Sequence, residues 1–294
     1  MKFTKMHGCG NDYVYVDATR EGISDPERAA VFVSDRHFGI GSDGLILIES
    51  SDNADFTMSM YNADGSRGEM CGNGIRCVGK YVYDHGLTKK TDITVETLAG
   101  VKNLKLNPGS DGRIESVMVN MGEPVFDVRR IPVIYPESEM MGVPMEVDGR
   151  IYKVYCISMG NPHCVTFMDE DVRELELSAI GPKFENHSTF PKRINTEFAN
   201  IIDRTHIRMR VWERGSGETL ACGTGACATA VAAIRGGLTE DTVELLLLGG
   251  SLTISYDRAS NEVYMTGSAT EVFSGEIELS DDFIKDDVKI YRRR

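Results

Sequence analysis

The chain has 294 residues, of which 41% are hydrophobic and 26% are charged. This composition supplies a buried core and excludes general disorder, and the length suits two domains of about 150 residues. Lys and Arg total 32 against 45 Asp and Glu, so the net charge is −13 and nucleic acid is not an expected partner.

The first residues lack the apolar core of a signal peptide, and no apolar run approaches the roughly 18 residues that a membrane span needs. We therefore expect a cytoplasmic protein with no membrane partner. The seven cysteines are odd in number and none is spaced as C-x-x-C. A disulfide framework, a zinc site and a thioredoxin-like site are therefore not expected.

The predicted elements of the first half follow a simple order. Asn11 precedes an apolar, strand-like run, and Ser24 is the predicted cap of a first helix with a proline in its first turn. A second helix follows Cys71, with Asn73 as its predicted cap and Gly86 as its stop. Alternating apolar residues then predict three strands, at 92–98, 101–106 and 116–121.

A formal G-x-G-x-x-G pattern ends at Gly44. A dinucleotide site needs a helix after such glycines, but the apolar run 45–48 predicts a strand there. The pattern is therefore not interpreted as a nucleotide site.

The same order recurs about 150 residues later. Asn161 precedes an apolar run, Ser178 opens a weaker helix, and a helix after Cys222 has Thr224 as its predicted cap. This last helix is apolar on nearly every face, which predicts burial on all sides. Three strand-like runs follow, at 243–248, 252–256 and 262–265.

The collinear order of these features predicts an internal duplication. The sequence Cys-Gly-Asn-Gly at 71–74 resembles Cys-Gly-Thr-Gly at 222–225, 151 residues further on. We predict an α+β fold of two pseudo-symmetric halves, each a curved, mostly antiparallel sheet wrapped around a central helix. The expected halves are residues 1–121, completed by a C-terminal strand within 268–294, and residues 122–267, with the active site in a cleft between them. Residues 281–294 are expected to form a charged tail.

Each half places a cysteine beside a glycine-rich helix N-terminus. Free backbone N–H groups and the positive end of the helix dipole favour anions there. We therefore expect the pKa of each thiol to be lowered from about 8.5 toward neutrality. Two thiols on opposite sides of one carbon would suit inversion of a stereocentre, with a thiolate removing the α-proton and a thiol delivering one to the other face.

Six segments carry a specific resemblance: KMHGCGNDY at 5–13, YNADGS at 61–66, EMCGNG at 69–74, GNPH at 160–163, RIN at 193–195 and ERGSGETLACGTG at 213–225. Through them the chain resembles the diaminopimelate epimerases, which are racemases without pyridoxal phosphate. The resemblance implies interconversion of LL- and meso-diaminopimelate for lysine and peptidoglycan synthesis, with no cofactor, no metal and a homodimeric assembly.

The resemblance also implies roles for individual residues. Cys71 and Cys222 become the catalytic acid and base, and His163 and Glu213 modulate the pKa of the thiols. The implied substrate-binding residues are Asn11, Asn62, Gly72, Asn73, Asn161, Asn195, Glu213, Arg214, Gly223 and Thr224. One departure is Gly44, where some members carry glutamine; any contact made there would have to come from backbone or water.

Four alternatives compete with this interpretation. A same-fold racemase of proline or histidine is disfavoured by Asn73, where proline racemases typically have histidine. A phenazine-type isomerase lacks the paired cysteines. A non-catalytic binding protein would need neither thiol, and a thiol redox protein would need a C-x-x-C partner.

Overall fold

The computed structural model describes residues 1–20 and 22–279, and strands predominate in it. The strands, in chain order, are β1 Lys2–Gly8, β2 Asn11–Asp17, β3 Gly44–Glu49, β4 Phe56–Asn62, β5 Arg67–Gly68, β6 Asp92–Thr97, β7 Gly100–Pro108, β8 Ile114–Gly122, β9 Met141–Val147, β10 Arg150–Ser158, β11 Pro162–Phe167, β12 Asn195–Ile201, β13 His206–Glu213, β14 Gly217–Thr219, β15 Thr242–Leu247, β16 Gly250–Asp257, β17 Glu262–Ser268 and β18 Thr270–Glu276. The six strands predicted from alternation all form, with ends shifted by up to three residues.

The helices are α1 Pro26–Ser34, α2 Gly72–Asp84, α3 Leu177–Glu185 and α4 Gly223–Arg235, with a short 3-10 turn at Val172–Glu174. None of the helices in the described ranges is long and apolar enough to cross a membrane.

The chain divides into two units. One consists of Met1–Val119 together with the segment that starts at Ser268, and the other of Asn120–Gly267. The predicted charged tail, residues 281–294, lies outside the described residues. The described part of the C-terminal segment contains one strand, β18.

In the first unit, β18 pairs with β1 and β1 with β2, both antiparallel. Strand β3 then pairs in parallel with β2 and antiparallel with β4. Strand β4 is flanked by β5 and, in parallel, by β6, and the meander β6–β7–β8 is antiparallel.

The second unit repeats this pairing pattern strand for strand. Strands β9, β10 and β11 form an antiparallel series, β11 pairs in parallel with β12, and β12 pairs antiparallel with β13. Strand β13 is flanked by β14 and, in parallel, by β15, and β15–β16–β17 is an antiparallel meander. The predicted mostly antiparallel α+β fold is confirmed, and β18 takes the place in the first unit that β9 takes in the second.

One buried helix lies at the centre of each unit. Helix α2 packs on β1, β2 and β7, and α4 packs on strands that include β10, β11, β12 and β16. In α4, every residue from Gly225 to Ile234 is buried, as the apolar pattern predicts. Its alanines let strands approach on all sides, because a helix of small side chains has a narrow cross-section.

The first and third helices begin differently from the prediction. The cap of α1 is Asp25, whose Oδ1 accepts from the Arg28 backbone N–H at 3.1 Å, and not Ser24. Helix α3 starts at Leu177 with Glu176 at the cap position, so Ser178 lies inside its first turn. Asp25 caps α1 in preference to Ser24 because it lies one residue nearer to the free N–H groups of the first turn.

Candidate active site

Cys71 is itself the N-cap of α2. Its Sγ accepts a hydrogen bond from the Gly74 backbone N–H at 3.3 Å. The prediction that Asn73 caps this helix is wrong, because Gly72 is already the first helical residue and Asn73 lies in the first turn. The catalytic candidate is therefore bonded directly to the N-terminal amides of the helix, where a negative charge is favoured.

Asn11 is brought to Cys71 by the start of β2. The Cys71 thiol donates to Asn11 Oδ1 at 3.1 Å, and Asn11 Nδ2 donates to Asp43 Oδ2 at 2.8 Å. Asn11 is thereby held with its oxygen toward the sulfur. Asn62, at the end of β4, is held differently, since its Nδ2 donates to Ser66 Oγ at 3.0 Å.

Arg76 is a fully buried residue of α2 that the sequence analysis missed, and its side chain contacts the first turn of the same helix. The Arg76 guanidinium donates to the Gly72 carbonyl at 3.1 Å and to Asn73 Oδ1 at 3.0 Å. It therefore fixes two predicted substrate-binding residues and adds positive charge below a helix N-terminus. No local signal distinguishes Arg76 from a surface arginine on an ordinary helix.

Cys222 repeats the arrangement as the N-cap of α4. Its Sγ accepts from the Gly225 backbone N–H at 3.4 Å and lies 3.4 Å from Thr224 Oγ1. Thr224 is in the first turn, as is Gly223, so the predicted threonine cap is also wrong.

The expected low pKa is wrong for Cys222. Burial raises the pKa of Cys222 well above its ordinary value, and the negative charges of Glu213 and Glu197 raise it further. The hydrogen bonds from Thr224 and Gly225 oppose this shift but are outweighed. The raised pKa favours the protonated thiol over the thiolate.

Glu213 ends β13 beside Cys222. Its Oε1 accepts from the Thr219 hydroxyl, and its negative charge acts on the Cys222 thiol. Burial raises the pKa of Glu213, while Thr219, the nearby His163 and the Cys222 contact act to lower it. A buried carboxyl group with a raised pKa next to a candidate catalytic thiol is typical of a functional site.

His163 is fully buried between two partners. Its Nδ1 lies 2.7 Å from Glu197 Oε1 and its Nε2 lies 2.9 Å from Asn161 Oδ1. Glu197 is also completely buried, and a Cβ added at Gly225 would lie 2.5 Å from its Oε1. The sequence analysis missed Glu197, which lies in an apolar strand with no motif of its own.

Asn195 and Arg214 belong to one hydrogen-bonded loop system. Asn195 Nδ2 donates to the Pro162 carbonyl at 2.8 Å, and its Oδ1 accepts from the Arg214 backbone N–H at 2.9 Å. The Arg214 side chain is exposed and donates to the Lys192 carbonyl at 3.3 Å. Its guanidinium therefore lies at the surface of the second unit.

Glu185 anchors the same loop from α3. Its carboxylate accepts from Trp212 Nε1 at 2.7 Å, from the Gly215 backbone N–H at 2.9 Å and from Arg193 at 3.0 Å. This buried carboxylate on an amphipathic helix was not predicted as a functional residue.

The two units place equivalent residues at equivalent positions. His163 of β11 pairs with Asn195 of β12. The corresponding residues of the first unit are Tyr13 and Gly44, which come directly before the first pair of β2 and β3. Gly44 also pairs with Asn62 of β4. Asn62 thus occupies the position that Glu213 occupies in the second unit. Around each cysteine the scaffold is thus the same, while the polar side chains differ.

Comparison with known proteins decides the family. Residues 3–127 and 155–272 match the family model described as diaminopimelate epimerase. The chain belongs to the diaminopimelate epimerase family. A diaminopimelate epimerase of Acetivibrio thermocellus is 55% identical over 281 residues, covering 96% of this chain and all of that protein. One from Methanococcus maripaludis is 52% identical over 279 residues, covering 95% of this chain and all of that protein.

Solved structures share the fold at low identity. A phenazine biosynthesis protein of the PhzF family from Bacillus anthracis aligns with a TM-score of 0.66 at 16% identity, covering 95% of this chain and 99% of that one. A probable proline racemase from Agrobacterium radiobacter gives a TM-score of 0.65 at 14% identity, covering 96% and 95%. These likenesses show that both same-fold alternatives share the architecture, and they carry no argument about activity.

Gly44, the one noted departure from the epimerase pattern, is the first residue of β3, and a strand follows it as the sequence predicts. A Cβ at this position would lie 2.2 Å from the Tyr61 carbonyl oxygen and 2.8 Å from Cε1 of Tyr13. Position 44 thus has no room for a side chain in this chain.

Proposed function

We propose that this protein interconverts LL- and meso-diaminopimelate, with Cys71 and Cys222 as the two acid–base groups. The observation that carries the proposal is that each pseudo-symmetric unit makes a cysteine the N-cap of its central helix, with the sulfur bonded to a backbone N–H of the first turn. Membership of the diaminopimelate epimerase family supports the substrate, and the duplicated site supports a two-sided reaction.

In the proposed reaction, one thiolate takes the proton from Cα and the electron pair of the broken C–H bond stays on the substrate as a carbanion. The other cysteine, as a thiol, gives its proton to the opposite face of that carbon and becomes the thiolate. Atoms and charge balance without a cofactor or a metal. General acid–base catalysis of this kind contributes about 10²- to 10⁴-fold per group.

The carbanion needs stabilisation because an amino acid's α-proton is a weak acid. The N-terminal amides of α2 and α4, which include the Gly72-Asn73 and Gly223-Thr224 peptides, would hold the substrate α-carboxylate as negative charge spreads onto it. The charge of Arg76 reinforces the first of these cradles.

The unequal surroundings of the two thiols suit unequal protonation. Cys71 is partly exposed and adjoins an amide, whereas Cys222 is buried and adjoins two carboxylates that raise its pKa. We propose that Cys222 is the protonated partner in the free enzyme, so that Cys71 abstracts first. Glu213 then accepts the substrate ammonium, and His163 with Glu197 holds Asn161.

We propose that Arg214, with Asn62, Asn161 and Asn195, binds the distal amino-acid end of the substrate. A guanidinium matches a carboxylate by two parallel hydrogen bonds. Asn195, the first residue of β12, accepts from the backbone N–H of Arg214, which supports a fixed position for this turn residue. We also propose that the protein is a cytoplasmic homodimer. Light scattering would measure the mass of the particle in solution.

The test is incubation of the purified protein with LL-diaminopimelate in D₂O. We expect meso-diaminopimelate to accumulate with deuterium at one Cα, and Cys71→Ala and Cys222→Ala each to lower turnover by about 10²- to 10⁴-fold while keeping the native circular dichroism spectrum. Cys77→Ala and Cys227→Ala, one turn into the same two helices, are the matched controls. Absence of deuterium, or near-native turnover in either variant, would contradict the proposal; conversion of proline or histidine instead would point to the same-fold alternatives.

A further inference from the structure

The surroundings of Cys71 contain a tyrosine that the proposed reaction has not used. Tyr13 is 5% exposed, on the strand that begins at Asn11. Because side chains two apart on a strand share a face, Asn11, Tyr13 and Tyr15 all point the same way. That face is the one that packs on α2, where Tyr15 donates to the Gly74 carbonyl at 3.3 Å.

Tyr13 lies between Asn11, whose Oδ1 accepts from the Cys71 thiol at 3.1 Å, and Tyr15, whose hydroxyl donates to the Gly74 carbonyl, so its ring faces the first turn of α2 on the side of Cys71. Burial and the charges of Cys71 and Asp43 raise the pKa of Tyr13, so the phenol keeps its proton and is available as a donor. Cys77 and Tyr15 also interact electrostatically with Cys71.

The hydrogen bonds of Cys71 differ between its two protonation states. As a thiol, it donates to Asn11 Oδ1 at 3.1 Å. As a thiolate it has no proton to donate, so it needs donors, and the Gly74 N–H supplies one at 3.3 Å. A hydroxyl on the strand face that meets Cys71 suits the role of a further donor, and hydrogen bonds to a charged acceptor are the strong ones.

Gly44 makes the room for that ring. A Cβ at position 44 would come within 2.8 Å of Tyr13 Cε1, closer than any packed carbon pair allows. In the second unit, the position equivalent to Tyr13 is occupied by His163, another buried polar ring.

We propose that Tyr13 is a positioning residue for Cys71, donating its hydroxyl proton to the sulfur in the thiolate state, and that Gly44, which the Tyr61 carbonyl already confines to glycine, also leaves room for the tyrosine ring. The inference rests on the proposed function, because it assumes that Cys71 works as a thiolate.

Tyr13→Phe tests this role, and Tyr15→Phe is the matched control on the same strand and face. The first readout is the alkylation rate of Cys71 by iodoacetamide at fixed pH, located by peptide mass spectrometry. The second is kcat and KM with LL-diaminopimelate. We expect Tyr13→Phe to slow alkylation and lower kcat, each by about tenfold or more, with KM unchanged, as for loss of a hydrogen bond to a charged group. Tyr15→Phe should change the alkylation rate and kcat by less than about twofold, because a larger effect needs a direct hydrogen bond to the charged sulfur.

Alkylation needs no turnover, so it separates the two proposals. If the wild type fails to convert diaminopimelate, the proposed function fails while alkylation still decides the role of Tyr13. Equal alkylation of wild type and Tyr13→Phe would overturn the inference, as would an equal slowing in both phenylalanine variants, which would mean a general loosening of the strand. Thermal unfolding of each variant checks that it is folded.

Discussion

Oε1 of Glu197 lies 2.7 Å from Nδ1 of His163, and both side chains are completely buried. They stand on the adjacent parallel strands β11 and β12, on which α4 packs. The second carboxylate oxygen of Glu197 has no hydrogen-bond partner among the described residues. A buried charge so placed acts on its neighbours through a medium that screens poorly, and it raises the pKa of Cys222.

Glu197→Gln removes this charge and keeps the shape of the side chain. We expect iodoacetamide to alkylate Cys222 faster in this variant than in wild type at the same pH, because one like charge no longer opposes the thiolate. Peptide mass spectrometry measures the rate. The exposed substitution Glu174→Gln is the control, and an unchanged Cys222 rate in Glu197→Gln would contradict the assignment.

The raised pKa of Cys222 also predicts how stability depends on pH. The folded state holds the thiol proton more tightly than the unfolded chain, whose cysteines ionise near about pH 8.5. The stabilisation is therefore complete below that pH and is lost above it, by up to about 1.4 kcal/mol per pH unit. Urea titrations between about pH 8 and 10 should show a steeper loss in wild type than in Cys222→Ser. An equal fall of the free energy of unfolding with pH in wild type and Cys222→Ser would contradict this prediction.

Glu185→Gln tests the anchor of the loop that carries Glu213 and Arg214. Three N–H donors point at the carboxylate, and an amide would turn a donor toward one of them. We expect the free energy of unfolding to fall by about 1–3 kcal/mol, the cost of leaving a buried donor unpaired. Exposed Glu137→Gln should change it by less than about 0.5 kcal/mol. Equal stability of the two variants would show that the anchor is dispensable.

Arg214→Lys keeps the charge and loses the two-pronged geometry. If Arg214 binds the distal carboxylate, kcat/KM for diaminopimelate should fall by the equivalent of about 1.5–3 kcal/mol. A monoamino acid without a distal end should be a poor substrate for both proteins and nearly indifferent to the change. Equal losses on all substrates would refute distal-end recognition by Arg214 while leaving the acid–base chemistry intact.

The duplicated architecture was predictable because it is written in collinear local patterns. Glycines, apolar periodicity and the two Cys-Gly motifs placed α2, α4 and both meanders within a few residues. The caps were mispredicted because propensity favours Asn and Thr, whereas a cysteine side chain two residues earlier reaches the same N–H groups.

The electrostatics of the site could not be predicted from local sequence. The pKa of Cys222 is set by burial and by carboxylates from two other strands, and Glu197 reaches the sulfur's neighbourhood only because Gly225 has no side chain. Arg76 likewise acts through contacts formed only when α2 is buried. Such effects depend on tertiary packing, which motif spacing does not encode.

The isotope distribution during the first few per cent of the reaction in D₂O tests the two-thiol account most directly. When separate groups remove and deliver the proton, the meso product carries solvent deuterium at the inverted Cα while the remaining LL-diaminopimelate keeps its hydrogen. Mass spectrometry of the two separated isomers measures both. Product that retains the substrate's own hydrogen at the inverted carbon would show that a single group carries the proton from one face to the other, and would contradict the account.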